Sequence, residues 1–344
     1  MIVLRADNVH DALPTAVGII KNCGILRESR NGPVLQSPSP VATVYKHPEE
    51  RVIFWPERDA NPFFHLYESL WMLAGRDDVE SVARYSSHIR EYSDDGKTFH
   101  GAYGRRWRSW GWGQNRDQIA MAVDQLRADH DDRRVVLGMW NPAVDLGRRG
   151  KDLPCNLTIT LQINEQDSLD MVVFCRSNDI VWGAYGANAV HFSMLQEFVA
   201  RCVGVSVGTY TQVSVNWHAY LNRPFEKVKD LYEKEGQLSP YRTFAAKTLM
   251  PGADEVVGSL YNVLGAADMS EWSYAPRNKW ERVVLNVLHA HEVWSTKAAP
   301  ERFAQSLAVL NSDLDDLNAD WNIAAREWIE RRQVSWERKM ENQA

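Results

Sequence analysis

The sequence is poor in cysteine. Its 344 residues include only four cysteines, Cys23, Cys155, Cys175 and Cys202. Their irregular spacing matches neither a paired metal-binding pattern nor a disulfide framework. His289 and His291 lie two positions apart on a predicted helix and would point in different directions, so they do not indicate a metal site either. We therefore expect no bound metal and a reducing, cytoplasmic setting.

The sequence also lacks targeting and membrane segments, and charge of one sign is not in large excess. Charged side chains occur within residues 1–7, too early for a secretory signal, and no apolar run approaches membrane-spanning length. Lys and Arg total 39 against 45 for Asp and Glu, a net charge of -6. We therefore expect a soluble protein without a nucleic-acid or membrane partner.

Hydrophobic periodicity predicts an α+β fold. Asn61 and Pro62 are a helix-start signal, and apolar residues recur at helical spacing from there to Gly75, which predicts one buried helix. A second long helix is predicted at residues 190–203. Strands are predicted at residues 157–163, 170–175 and 209–220. The turn-rich residues 29–40 predict an ordered loop.

The last third of the chain has an all-helical pattern. Helices are predicted at residues 225–235, 254–264, 279–294 and 301–332, separated by Gly- and Pro-containing breaks. Dense charge at helical spacing over residues 326–341 predicts a solvated helix face, with a partner surface as the alternative. We expect a catalytic core at residues 1–222 and a helical part of the same domain at residues 223–344.

One cysteine has a context suited to catalysis. Cys155 follows Pro154 at the start of a predicted strand, where a rigid turn can present a thiol at the edge of a cleft. Nearby arginines would favour the thiolate, which is the nucleophilic form. Cys175 and Cys202 lie inside apolar runs, so we expect them in the core.

Glu68 is an acidic residue on the apolar stripe of the predicted helix. It lies one turn from Phe64 and one turn from Trp71. The carboxylate could be a buried structural group satisfied by an N–H or an arginine. It could equally be a proton-transfer group whose pKa burial raises towards neutrality. The sequence leaves both interpretations open.

The predicted strand that ends at Tyr220 has one apolar and one polar face. Period-two alternation puts Val213, Val215 and Trp217 on the first, and Ser214, Asn216, His218 and Tyr220 on the second. A solvated sheet surface is the simpler interpretation of the polar face. The alternative is that the imidazole and the phenol bind substrate hydroxyls.

Arginines beside turns and strands could bind a phosphate through their guanidinium groups. They are Arg30, Arg133, Arg134 and Arg176, the last followed by the hydroxyl of Ser177. Residues 103–112 interleave arginine with tryptophan, which is similar to a stacking platform for single-stranded nucleic acid. Acidic stretches on both sides favour tryptophans that form core and walls instead.

Taken in order, eight motifs resemble the thymidylate synthase superfamily. They are Arg30, residues 67–75, residues 103–108, Arg133-Arg134, Pro154-Cys155, residues 176–179, residues 183–188 and His218-Ala219-Tyr220. The resemblance covers residues 24–222 and is close in order and spacing. It implies a large mixed β-sheet flanked by helices, with a helical carboxy-terminal extension. It also implies a homodimer in which two sheets pack back to back.

The resemblance implies catalytic roles for four residues. Cys155 would add to C6 of a pyrimidine nucleotide and make C5 a nucleophile towards 5,10-methylenetetrahydrofolate. Glu68 would manage proton transfers through water, and Tyr103 would lie beside the thiol. Asp179 would hold the pterin of the folate.

The resemblance also implies a nucleotide-binding set. Asn188 would read the edge of the base, and His218 with Tyr220 would hold the sugar hydroxyl. The groups that would bind the phosphate are Arg30, Arg176 and Ser177, with Arg133 and Arg134 contributed by the second subunit.

Three departures from the synthases predict a different product. Asn156 follows the nucleophile where the synthases have His, and residues 88–93 lack the tryptophan that shields the methylene intermediate. The chain ends in a charged helix instead of a short apolar tail that closes over the folate. If water reaches the intermediate before a hydride does, the product is a 5-hydroxymethyl pyrimidine. The resemblance therefore favours a nucleotide hydroxymethylase.

The identity of the base is the finer question. The Asn188 amide fits uracil, whereas a phage deoxycytidylate hydroxymethylase, which residues 176–179 resemble, has Asp at that place. The resemblance of residues 176–179 to the deoxycytidylate hydroxymethylase favours dCMP as the substrate. Ser177 and the Arg133-Arg134 pair favour a deoxynucleotide over a ribonucleotide. The alternatives are hydroxymethylation of dUMP or CMP, and thymidylate synthesis from dUMP. From another class, the alternative is a module that binds single-stranded nucleic acid without turnover.

Overall fold

The described part of the chain folds around one mixed β-sheet. The computed structural model describes residues 1–111, 115–221, 223–273 and 275–343. Trp112, which belongs to the predicted stacking segment, lies outside the described residues. Helices cover the inner face of the sheet, and this arrangement confirms the predicted fold class.

In the described residues the sheet has eight strands. They are β1 (Ile2–Ala6), β2 (Ile25–Ser29), β3 (Gly32–Gln36), β4 (Val41–Tyr45), β5 (Val136–Gly138), β6 (Asn156–Ile163), β7 (Ser168–Asp179) and β8 (Ser206–Tyr220). The spatial order is β1-β4-β8-β7-β6-β5, and the β2–β3 hairpin joins it because β3 pairs with β8. The β1–β4 and β7–β8 pairs are parallel, and the other pairs are antiparallel.

Helices fill the connections between strands and most of the carboxy-terminal part. Those of the described chain are α1 (Val9–Cys23), α2 (Pro62–Leu73), α3 (Val79–Ala83), α4 (Tyr103–Arg108), α5 (Gln118–Ala128), α6 (Pro142–Asp145), α7 (Asn188–Val203), α8 (Arg223–Val228), α9 (Ala253–Met269), α10 (Lys279–Thr296), α11 (Glu301–Leu310) and α12 (Asp320–Glu341). The α2 and α7 helices pack against each other, and α9 packs on both. Across the described ranges no helix is long and apolar enough to cross a membrane.

The strongest periodic signals correspond to real elements. The α2 helix begins at the predicted cap, where the Asn61 side chain accepts a hydrogen bond from the N–H of Phe64. The predicted strands are confirmed as parts of β6, β7 and β8, although β7 continues to Asp179. Cys175 and Cys202 are buried, as expected.

Residues 29–40 do not form the predicted loop. Arg30 and Asn31 are the two-residue turn of a hairpin, and Gly32 enters β3 with a φ of +107°, a left-handed conformation that suits glycine. The turn residues mark the turn correctly. Val34 pairs with Tyr220 in β8, so the residues after the turn form a strand. Local sequence patterns do not indicate this strand, because its partner is distant along the chain.

Two predicted carboxy-terminal helices are interrupted. The predicted helix 225–235 is a short α8 followed by a separate turn of 3-10 helix. The predicted helix 301–332 breaks between α11 and α12, because Asp313 caps the N–H of Asp315 and buried Asn322 donates to the carbonyl of Leu310. Trp328 is buried within α12, so the solvated face begins only beyond it.

The apolar face of β8 is not its buried face, contrary to the sequence prediction. Val215 is 55 % exposed, whereas Ser214 and His218 on the polar face are buried. Trp217 alone of the predicted apolar set is fully buried. The polar face is internal because the irregular helical segment Ile180–Ala187 and the end of β7 cover it and supply hydrogen-bond partners.

Residues 103–111 do not form a stacking platform. Arg106 is completely buried and forms a bidentate ion pair with Asp145, with N···O distances of 2.6 and 2.8 Å. Trp107 is part of the core, and Arg108 donates to the carbonyl of Leu73. These side chains therefore hold the fold together, as the core-and-wall interpretation predicts.

The Arg106–Asp145 pair provides a stability test. We expect Asp145→Ala to lower the free energy of unfolding by about 3 to 5 kcal/mol, because it leaves a buried guanidinium without its counter-charge. Arg105→Ala, which removes an ion pair whose arginine side chain is 53 % exposed, should cost less than about 1 kcal/mol. Urea denaturation of both variants measures the difference, and equal losses would contradict the assignment.

Candidate active site

Cys155 lies immediately before β6, with Tyr103 beside it. The Tyr103 hydroxyl oxygen accepts hydrogen bonds from the backbone N–H of Cys155 at 3.2 Å and of Asn156 at 3.3 Å. On the opposite side, the N–H of Arg176 donates to the Cys155 carbonyl at 2.9 Å. The backbone of the candidate nucleophile is therefore held between α4 and β7.

Two arginines provide positive charge near the thiol. Arg176 and Arg30 both donate hydrogen bonds to backbone carbonyls within residues 150–154, the loop that leads to Cys155. Burial raises the pKa of the Cys155 thiol above its ordinary value of 9.0, and the charge of Asp152 raises it further. The two arginines lower the pKa but do not outweigh burial. The arginines therefore favour the thiolate, as expected, although burial has the larger effect on the pKa.

The ends of three elements converge around Arg30. It lies in the β2–β3 turn, where the side-chain amide of Asn31 donates to the Tyr220 hydroxyl at 3.4 Å. Arg176 and Ser177 lie near the end of β7, which is parallel to the end of β8. These cationic and hydroxyl groups can bind an anion such as a phosphate.

Arg133 and Arg134 do not join this cluster within one chain. They precede β5, the edge strand at the other end of the sheet order. Both are exposed, and Arg134 forms an ion pair with Asp132 at 2.8 Å. The structure of a single chain therefore separates them from the other predicted phosphate ligands.

Asp179 and His218 face each other at the ends of parallel strands β7 and β8. The Asp179 carboxylate accepts hydrogen bonds from the N–H of Val181 at 3.0 Å, of Trp182 at 2.6 Å and of Tyr220 at 3.4 Å. Burial raises the pKa of Asp179 and lowers the pKa of His218. The His218 ring contacts the Tyr220 ring edge-on, with 5.0 Å between centroids.

Asn188 has an oriented side chain. Its Nδ2 donates to Oδ1 of Asn178 at 3.0 Å, and Nδ2 of Asn178 donates to the Ser214 hydroxyl at 3.1 Å. A Cβ at residue 183 would collide with Oδ1 of Asn178, so glycine at this position leaves the Asn178 side chain in place. Within the part of the chain that the structure describes, the Asn188 carbonyl oxygen and its second N–H have no hydrogen-bond partner and can bind a ligand.

Glu68 has a partner that no sequence motif identifies. Its Oε2 lies 3.0 Å from Nε2 of His191 on the facing helix α7. The partner is an imidazole, and neither of the sequence interpretations named one. The available signal was spacing, because His191 follows Asn188 by three residues and therefore shares its helix face.

Arg58 is a second site residue outside the sequence motifs. Its Nε donates to the Val181 carbonyl at 2.7 Å, and its guanidinium carbon lies 5.1 Å from the Trp182 ring centre. Burial lowers the pKa of Arg58 to about 10, partly offset by the charges of Asp179 and Asp59. Its Nη2 is buried without a hydrogen-bond partner among the described residues.

A flat heterocycle with amide-like groups fits this end of the site. Asp179 offers acceptor oxygens, and Trp182 presents an aromatic ring that is 58 % exposed. The pterin of a folate has this shape and these groups. Among the described residues, no group of three or more His, Cys, Asp or Glu side chains could hold a metal ion.

Comparisons with known proteins agree with this arrangement. The family model described as thymidylate synthase matches residues 42–251. The chain is 46 % identical, over 351 aligned positions, to a deoxyuridylate hydroxymethyltransferase of Pseudomonas phage M6, covering 98 % of this chain and 96 % of that protein.

Two further relatives match part of the chain. A deoxyuridylate hydroxymethyltransferase of Bacillus phage SP01 is 38 % identical over 203 residues, 57 % of this chain and 53 % of that protein. A thymidylate synthase of Symbiobacterium thermophilum is 34 % identical over 167 residues, 45 % of this chain and 58 % of that protein. The family match extends over more than half of the chain. The chain therefore belongs to the thymidylate synthase family and is a folate-dependent one-carbon transferase that uses 5,10-methylenetetrahydrofolate.

Proposed function

We propose that the protein transfers a hydroxymethyl group to C5 of dUMP. The observation that carries the proposal is the oriented Asn188 amide, whose free groups match the edge of uracil. The two phage relatives are named deoxyuridylate hydroxymethyltransferases, which also favours dUMP. These relatives do not support the preference for dCMP that the resemblance to a deoxycytidylate hydroxymethylase implied.

The choice of base follows from hydrogen-bond polarity. With Asn178 accepting from one N–H, Asn188 has one N–H left to donate and a carbonyl oxygen left to accept. Uracil presents the complement, an N3–H donor and an O4 acceptor. Cytosine presents the reverse, an N3 acceptor and an N4–H donor. Binding cytosine would require the Asn188 amide to flip, which would turn its oxygen towards the oxygen of Asn178.

The chemistry uses Cys155 and Glu68. When bound, 5,10-methylenetetrahydrofolate supplies a one-carbon unit at the oxidation level of formaldehyde. The Cys155 thiolate would add to C6 of uracil and make C5 nucleophilic, so that C5 would bond to the one-carbon unit. Glu68 would receive the C5 proton through water and pass it to solvent. The bond between the one-carbon unit and the folate nitrogen would break, with release of tetrahydrofolate. Water would bond to that carbon in its place, and the proton of the water would go to Glu68. Rupture of the bond between Cys155 and C6 restores the double bond and releases product.

The stretch that, by the family resemblance, would shield the one-carbon unit supports attack by water over hydride transfer. The short 3-10 helix Ser87–Tyr92, in the stretch that lacks the expected tryptophan, has no buried residue.

Mass spectrometry of the products tests both the reaction and the base. We expect dUMP incubated with the protein and 5,10-methylenetetrahydrofolate to gain CH2O, because water completes the transfer, and dCMP to remain unchanged. Cys155→Ser is the blank, because it lacks the thiol that activates C5. A gain of CH2 with formation of dihydrofolate would indicate thymidylate synthesis instead. A gain of CH2O on dCMP alone would overturn the choice of base.

Asn188→Asp should change base preference. A protonated carboxyl can donate to N3 of cytosine and accept from its N4–H, whereas a carboxylate repels O4 of uracil. We expect kcat/KM for dUMP to fall about 10- to 100-fold, and dCMP to become a measurable substrate. Steady-state kinetics with each nucleotide measures both. An equal loss on the two bases would contradict the role of Asn188.

We also propose a homodimer that completes the phosphate site. On the outer face of the sheet, Phe174 and Val215 are exposed and Val172 and Val213 are half-buried, so a β-sheet face rich in apolar residues is available to a second copy. Arg133 and Arg134 lie at the far edge of the sheet from their own chain's cluster. Back-to-back packing of two sheets, as in the family resemblance, would carry them to the partner's Arg30 and Arg176.

Mixing inactive variants tests this sharing. Arg133→Ala/Arg134→Ala and Cys155→Ser should each be inactive alone, because each subunit type lacks one part of the site. Reassociated mixtures should recover about a quarter of wild-type activity, because half of the dimers carry one complete site. The matched control mixes Cys155→Ser with Glu68→Gln, which damages every site in the mixed dimer. No recovery in the first mixture would contradict a shared site.

A further inference from the structure

The carboxylate of Glu68 is held on one side and open on the other. Its Oε2 lies 3.0 Å from Nε2 of His191, and its side chain is 16 % exposed, whereas that of His191 is 4 % exposed. Among the described residues, no other side chain binds this carboxylate. The contact with the buried His191 ring therefore determines how the Glu68 carboxylate is oriented towards solvent.

His191 belongs to the helix face that reads the base. It follows Asn188 by one turn of α7, so the base-reading amide and the partner of Glu68 point in the same direction. The α7 helix packs on α2, which carries Glu68, and both helices are largely buried. The distance between Glu68 and the base is thus set by two rigid elements.

The surrounding groups do not compete with this contact. His65 lies one turn before Glu68 on α2, and its ring is perpendicular to that of His191 with 6.4 Å between centroids. Burial lowers the pKa of His65 well below its ordinary value, and the charge of Arg58 lowers it further. His65 is therefore neutral, and His191 is the imidazole in contact with Glu68.

We propose that His191 is a positioning residue that selects water as the second nucleophile. Its Nε2 lies against Oε2 of Glu68, and this contact directs the other oxygen to the water that bonds to the one-carbon unit on C5. The inference rests on the proposed function and deepens it. In this step an O–C bond forms, the proton of water passes to Glu68, and the bond between C6 and Cys155 then breaks.

Three substitutions separate hydrogen bonding from packing. His191→Gln keeps an N–H near the position of Nε2, His191→Asn keeps an amide too short to reach Glu68, and His191→Leu keeps volume without a donor. His291→Gln is the matched control, because His291 is a buried histidine that packs on α2 through Phe63 without contacting Glu68. Thermal denaturation and dUMP titration calorimetry report folding and nucleotide binding for each variant.

The first readout requires no folate. Addition of Cys155 to dUMP allows the C5 hydrogen to exchange with solvent deuterium, and the proton passes through Glu68. We expect exchange to fall about 10-fold in His191→Leu and His191→Asn and to stay within about 3-fold of wild type in His191→Gln. The dissociation constant for dUMP should remain within about 3-fold in all variants.

The second readout is product partition with folate and 2-mercaptoethanol present. The thiol competes with water for the one-carbon unit on C5 and gives a thioether instead of the hydroxymethyl product. We expect the ratio of thioether to hydroxymethyl product to rise about 10-fold in His191→Leu and His191→Asn, because only water depends on Glu68. His191→Gln and His291→Gln should keep the wild-type ratio.

Each outcome decides the inference. Unchanged exchange and partition in His191→Leu and His191→Asn, or equal damage in His191→Gln, would overturn it. If His191→Leu does not fold, the comparison of His191→Asn with His191→Gln carries the test. If the wild type makes no hydroxymethyl product, the proposed function fails, while deuterium exchange still reports whether His191 positions Glu68.

Discussion

The buried ion pair between Arg106 and Asp145 is the constraint on which the thiol site depends. Arg106 lies on α4, which begins with Tyr103, and Asp145 ends α6, just before the loop that leads to Cys155. Burial opposes ionisation of Asp145, but hydrogen bonds from Arg106, the N–H of Asn141 and His100 outweigh it and lower the pKa. Because both charges are buried, separating them would leave each one without a counter-charge, so the pair stays in one geometry. The pair therefore keeps the Tyr103 hydroxyl against the backbone of the nucleophile.

The proposed phosphate site lies in a protein of net negative charge, so its cations are local and individually held. Arg30 and Arg176 bond to carbonyls of the loop before Cys155, and their guanidinium groups are therefore in place before a phosphate arrives. Their effect on the thiol is smaller than that of burial. Burial therefore has the largest effect on the pKa of the Cys155 thiol, and so on how readily the thiolate forms.

The residues proposed to read the base and to position Glu68 share one helix. Asn188 receives its orientation from Asn178 and Ser214, which belong to β7 and β8, and His191 contacts Glu68 on α2. The α7 helix therefore connects the sheet, at the proposed base-reading amide, to the carboxylate of Glu68 on α2. A small shift of α7 would alter both functions, and its nearly complete burial opposes such a shift.

Local patterns in the sequence determined α2 with Glu68, the strands β6 to β8, the Pro154-Cys155 turn and the order of the family motifs, because these depend on spacing within a few residues. Contacts between distant segments decided the rest. Pairing with β8 made β3 a strand, cover from Ile180–Ala187 buried the polar face of β8, and helix packing brought His191 to Glu68 and Arg58 to Trp182. Periodicity describes which residues share a face, but only the folded chain determines what lies opposite that face.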